Sequence, residues 1–143
     1  MYYVNKEQIE RRLSAIPDIE EGLRTAADSW DQGLLLGLVQ ERSLHLAIEV
    51  VTDVCSYLID GFIMRDASSY EDIVQITYEE NVFDDSIYQV LIQLVKLRKP
   101  LVQDYCDWDR RSIHPLTGVL PDILNRFAAS IRSYLEQEWV PER

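Results

Sequence analysis

The 143 residues amount to about one domain, enough to bury a core without disulfides or a structural metal. Apolar residues make up 47% and charged residues 27%, which excludes a disordered chain, and five Gly with five Pro are too few for a β-sandwich or barrel that turns every ten residues. Fourteen basic against twenty-five acidic side chains leave a net charge of −11, which excludes binding of duplex DNA through a global positive field, so work on nucleic acid requires a local basic patch.

The first helical segment carries an apolar stripe of Ile9, Leu13, Ile16, Leu23, Ala27 and Trp30. Asn5 reads as its N-cap, with Gln8 three positions on, and Pro17 predicts a kink or short break. The segment gives way to a loop over Asp28–Gly33. The second segment, Leu34 to Phe62, is apolar on two faces. Leu44, Ala47, Ile48, Val51, Cys55, Leu58 and Phe62 form one stripe; Val39, Leu46, Val50, Val54 and Tyr57 form the other. Such a helix is either central to a bundle or meets a second subunit, and the second stripe predicts a homodimer. Gly61 stands near its end, where glycine often terminates a helix.

Ser68-Ser-Tyr-Glu71 has capping-box spacing and opens a short helix through about Glu80. The stretch from Asp66 through Asp85 carries seven acidic residues and no basic one, which reads as a solvated face. The next helix places Ile87, Leu91, Leu94 and Leu101 on one stripe, with Tyr88, Ile92, Val95 and Val102 beside it. The last shows Leu120, Ile123, Leu124, Phe127, Ile131, Tyr134 and Leu135, with Pro121 assigned to its first turn. No strand-like alternation, repeat or linker interrupts this pattern. The expectation is an all-α, up-and-down bundle of four main helices and one short one, a single domain over residues 1–143.

Cys55 and Cys106 make no CxxC pair, and His45 and His114 are scattered, so neither a zinc site nor another metal or cofactor is expected. Free thiols, a start without a signal-peptide pattern, and uncharged runs that reach only the ten residues of Ser86–Val95 point to a cytoplasmic protein without a membrane span.

Phosphate-loop, nucleophile-elbow and metalloprotease motifs are absent. The chemistry concentrates in Lys96-Leu-Arg-Lys-Pro-Leu-Val-Gln-Asp-Tyr-Cys-Asp-Trp-Asp109, where Lys96, Arg98 and Lys99 form a basic cluster in an acidic chain. Pro100 breaks the helix there. A restart would aim free N–H groups at the cluster and make a small anion site; the plainer reading is a lysine-rich helix end paired with Asp104 and Asp107.

Arg98, followed after four residues by Gln103-Asp-Tyr105, resembles the Arg-x4-His-x-Tyr motif of HepT-like proteins in the HEPN superfamily. The likeness extends to Tyr3–Leu13, Gln40–Asp53 and Ser69-Tyr-Glu-Asp-Ile, in order. The resemblance implies a dimeric helical bundle whose two motifs face one cleft, a metal-independent endoribonuclease and a toxin. It also implies an MntA-like minimal nucleotidyltransferase antitoxin that adds AMP to the motif tyrosine. On this chain Arg98 matches the arginine that holds the scissile phosphate of single-stranded RNA, and Tyr105 matches the modified tyrosine. Gln103 occupies the place of the catalytic histidine. Glutamine has no useful pKa, so acid–base chemistry is weakened or lost.

Lys99 stands where asparagine is usual and keeps a donor. Asp53 reads as half-buried and within salt-bridge reach of Arg98, or else as a solvated carboxylate. Arg98 and Tyr105, seven residues apart, share one side if the helix continues; by spacing alone Tyr105 is equally a core tyrosine. His45 is a helix-face or interface residue before it is a cleft contributor, and Trp30, Trp108 and Trp139 are packing anchors before they are base-stacking platforms. A second reading of function is a catalytically inert, dimeric helical module that binds a nucleotide or a partner protein.

Overall fold

The structure, a computed structural model, describes residues 3–138. The elements are α1 (Lys6–Leu13), α2 (Ile16–Ser29), α3 (Leu34–Gly61), α4 (Tyr70–Glu79), α5 (Asp85–Lys96) and α6 (Leu116–Glu138). Between α5 and α6 run a π-helical turn, Lys99–Gln103, and a 3₁₀ turn, Tyr105–Asp107. Trp139 lies outside the described residues.

Local signals account for most helix boundaries. The Asn5 side chain accepts from the Gln8 N–H at 3.2 Å and so caps α1. The expected break falls just before Pro17, which sits in the first turn of α2, where its missing N–H is harmless. That break resets the helical phase. Ile9, Leu13, Ile16 and Leu23 are buried as expected, but Ile19 and Ala26 complete the inner face, while Ala27 and Trp30 are only half-buried.

The two-faced segment is the central helix. α3 packs against α1, α2, α4, α5 and α6, and its first stripe is buried throughout. Val50 and Val54 of the second stripe are buried as well, while Val39, Leu46 and Tyr57 are half-buried. The chain thus covers that second stripe in part. What stays exposed is Leu34, Leu35 and Leu38 in the first turns of α3. At the other end the left-handed residue is Ile63 (φ 53°), not Gly61. Gly61 serves close approach instead: a Cβ there would lie 2.9 Å from the Tyr3 carbonyl oxygen.

The cap of α4 is shifted by one residue from the expected box. Ser69, not Ser68, is the N-cap, and its hydroxyl accepts from the Asp72 N–H at 3.0 Å. The acidic stretch that follows is largely exposed, but arginines from outside it approach two of its parts. Arg65 forks onto Asp72 and reaches Glu79, and Arg126 pairs with Asp84. A second correction concerns α6, which begins at Leu116, so that Pro121 lies in its second turn. The missing N–H there removes one bond to the Thr117 carbonyl. The helix starts early because the His114 ring nitrogen Nδ1 accepts the Leu116 N–H at 3.1 Å and the Thr117 hydroxyl is buried on α3.

Phe127, Leu124 and Ile131 of α6 close the core with Leu44, Ile48 and Leu91, all fully buried, each worth about 1.5–3 kcal/mol. No helix among the described residues is long and apolar enough to cross a membrane. Cys55 is in the core, and burial pushes its thiol up to about 12, whereas Cys106 is exposed. A thiol reagent at pH 8 is therefore expected to modify one cysteine rapidly in the native protein and both after denaturation. Rapid native labelling at Cys55 would contradict the packing described.

Candidate functional site

The basic window takes its shape from Pro100. In a continuing α-helix the residue-100 N–H would bond the Lys96 carbonyl; proline has none, and α5 ends at Lys96. The chain widens into the π turn, closed by the Asp104 N–H donating to the Lys99 carbonyl at 2.8 Å, a rare geometry frequently found at functional sites. No fresh helix N-terminus forms, because the Leu101 N–H donates to Leu97 at 2.8 Å. The expected cradle of free backbone donors is thus overturned. Nor does any ion pair join Lys96 or Lys99 to Asp104 or Asp107 among the described residues.

Arg98 is half-buried at the head of this turn. Its guanidinium carbon lies 4.0 Å from the centroid of the Tyr70 ring, at the first residue of α4. No carboxylate lies within 4.0 Å of it among the described residues, and its buried Nε has no hydrogen-bond partner. Asp53 does not reach Arg98. It pairs with Arg12 at 3.3 Å, because it lies on the side of α3 turned to α1; Arg12 is held there by the Gln8 side chain and by the Tyr57 ring, 5.1 Å away. Half-burial of Asp53 was legible in the sequence. Its partner was not.

Tyr105 is 56% exposed and begins the 3₁₀ turn. The wider π turn breaks the two-turn phase that would have set Tyr105 directly beneath Arg98. Arg98 leans on α4, while the Tyr105 turn is tied to α3. Arg110 donates to the Tyr105 carbonyl at 3.0 Å and pairs with Glu41 at 2.7 Å. Next to it, fully buried Gln40 donates to the Ser112 carbonyl and accepts from the His114 N–H (2.8 Å) and the Thr117 hydroxyl (2.6 Å). Gly37 allows this docking, since a Cβ there would collide with the Arg110 carbonyl oxygen. Sequence reasoning missed Tyr70, Gly37, Gln40, Glu41 and Arg110 as site residues. The one signal available was Gln40-Glu41 amid the apolar positions of α3.

Gln103 and Lys99 are exposed on the π turn. His45 lies beside it, in a groove of about 240 Å³ formed with Leu38, Glu41, Arg42 and Leu101. Its ring nitrogens approach Arg42 (3.3 Å) and Glu49 (3.4 Å). His114 is depressed by burial and accepts a helix N–H, so its neutral form is favoured. Trp108 packs on the core and stacks on His114 with ring centroids 6.0 Å apart. Trp30 is half-buried.

Among the described residues, Arg98 without a carboxylate partner and the exposed Tyr105 stand on either side of the turn that Pro100 sets in an all-helical fold. The chain belongs to the HepT-like family: the profile of "Ribonuclease HepT-like" matches residues 10–131. It is 36% identical over 141 residues to "Putative RNase YutE" of Bacillus subtilis (strain 168), covering 99% of this chain and 96% of that protein. It also resembles the solved "Structure of Cytosolic Protein of Unknown Function YutE from Bacillus subtilis", with a TM-score of 0.84 and 35% identity over 100% of this chain and 99% of that one.

Proposed function

We propose that this protein is the HepT-like member of a cytoplasmic toxin–antitoxin pair, acting on single-stranded RNA without metal, its ribonuclease chemistry weakened or lost because Gln103 replaces the motif histidine. The observation that carries the reading is Arg98: a guanidinium that no carboxylate among the described residues neutralises, in the stretch that resembles the family's motif, in a protein otherwise strongly acidic. A homodimer brings two such motifs to one cleft, and the exposed Leu34, Leu35 and Leu38 at the start of α3, of which Leu38 shares a groove with Leu101 of the motif turn, support that association. The partner is an MntA-like minimal nucleotidyltransferase. Tyr105 suits modification, since its turn is fixed through its carbonyl while its hydroxyl has no partner among the described residues. In that reaction the Tyr105 oxygen attacks the α-phosphorus of ATP, the phenolic proton is lost and pyrophosphate leaves.

Intact-mass measurement after incubation with such a nucleotidyltransferase and ATP is expected to show one added adenylyl group, mapped to Tyr105 and absent from Tyr105→Phe. Lack of an adduct, or one that persists in the phenylalanine variant, overturns this pairing. The absence of a titratable group at Gln103 also favours a second reading, an inert dimeric module that binds a nucleotide or partner protein.

A further inference from the structure

We infer that Tyr70 is the positioning residue for Arg98, a platform that holds the guanidinium by its face and leaves its edge free for an RNA phosphate; this rests on the RNA reading above. The face of an aromatic ring attracts a cation electrostatically, and arginine stacks on it readily. A carboxylate holding Arg98 would occupy the very N–H donors that grip phosphate, in the same planar, two-pronged geometry. The ring occupies none of them. At 4.0 Å from the ring centroid, with no acidic side chain within reach among the described residues, Arg98 is held in this second way.

The platform is itself fixed. Tyr70 follows the N-cap Ser69, whose hydroxyl accepts from the Asp72 N–H at 3.0 Å. The Asp72 carboxylate closes the turn before it, accepting from the Ser68 N–H at 2.9 Å and from both Arg65 terminal nitrogens at 2.9 and 2.8 Å. These contacts, the Arg65 guanidinium first, hold Asp72 well below the usual carboxylate range, so the clamp is intact at neutral pH. The chain thus links Arg65, Asp72 and the α4 cap to the ring under Arg98. Tyr70 is 43% exposed with Arg98 on its ring and lies outside the buried core, so its ring is not committed to core packing.

The test is equilibrium binding of a single-stranded RNA oligonucleotide to the full chain at low salt, measured for Tyr70→Phe, Tyr70→Leu, Arg98→Ala and the Tyr70→Leu/Arg98→Ala pair. Circular dichroism and thermal unfolding establish that each variant is folded. Arg98→Ala is expected to weaken binding about ten-fold or more. Tyr70→Leu is expected to weaken it about three-fold, and Tyr70→Phe, which keeps the ring, hardly at all. In the Arg98→Ala background Tyr70→Leu should add nothing, a result that a merely structural role for Tyr70 would not produce. Full affinity in Tyr70→Leu while Arg98→Ala loses it overturns the platform and leaves the RNA reading standing. Affinity unchanged in Arg98→Ala overturns the RNA reading, and the platform with it.

Discussion

Gln103→His is expected to raise metal-free cleavage of single-stranded RNA by roughly 10²–10⁴-fold, the usual contribution of a placed general acid or base. Gln103 is exposed at the end of the π turn, so an imidazole fits without disturbing the core. An exposed histidine titrates near its ordinary value of about 6.5. A base must be unprotonated, so the activity gained should climb as pH rises through that value, a dependence the unmodified chain should lack. Arg98→Ala in the histidine background should abolish the gain, because the phosphate would lose the charge that holds it. The measurement is cleavage in the presence of chelator, with all three proteins purified identically. Strong Arg98-dependent cleavage by the unmodified chain would show that glutamine does not disable the site. No gain from histidine would favour the inert-module reading.

The second large effect is expected in the scaffold. Gln40→Leu deletes the amide that serves the Ser112 carbonyl, the His114 N–H and the Thr117 hydroxyl. Leucine fills similar space but leaves those groups without their partner in a buried site, and each orphaned group costs about 1–3 kcal/mol, less whatever water recovers. A net loss on the order of 3 kcal/mol, or roughly 10 °C in Tm for a chain this long, should appear in calorimetry. The 105–117 segment should also become more accessible to protease, because Gln40 and Glu41 are its moorings to α3. A variant as stable as the parent, with that segment still protected, would show that the docking does not depend on Gln40.

Much of this molecule is written in short-range pattern. Helical periodicity places Ile87, Leu91, Leu94 and Leu101 on a buried line because neighbours three and four apart share a face whatever else the chain does. Asn5 and Pro17 mark their boundaries because capping oxygens and missing N–H groups act within one turn. The motif itself is equally local: Arg98, Gln103 and Tyr105 are recognised by spacing, and Pro100 announces that the helix cannot continue between them.

Partners were a different matter, because a side chain's spacing says which face it occupies but not what lies opposite. The sequence leaves Asp53 open to Arg98 or to solvent; the packing of α1 onto α3 gives it to Arg12, 41 residues away in sequence. The two apolar stripes of α3 allowed a central helix or a second subunit, and packing makes it central, with Val50 and Val54 of the second stripe buried within the chain and Val39, Leu46 and Tyr57 half-buried. Pro100 predicted a break, but a π turn rather than a new helix start was decided by the continuing bonds of Leu101 and Asp104. By itself, then, the sequence determined the helical class, the core-facing positions and the resemblance to the family. Only the tertiary structure could decide that Tyr70 lies under Arg98 and that Gln40 anchors the Tyr105 loop, since both contacts join segments separated by loops whose course no local rule sets.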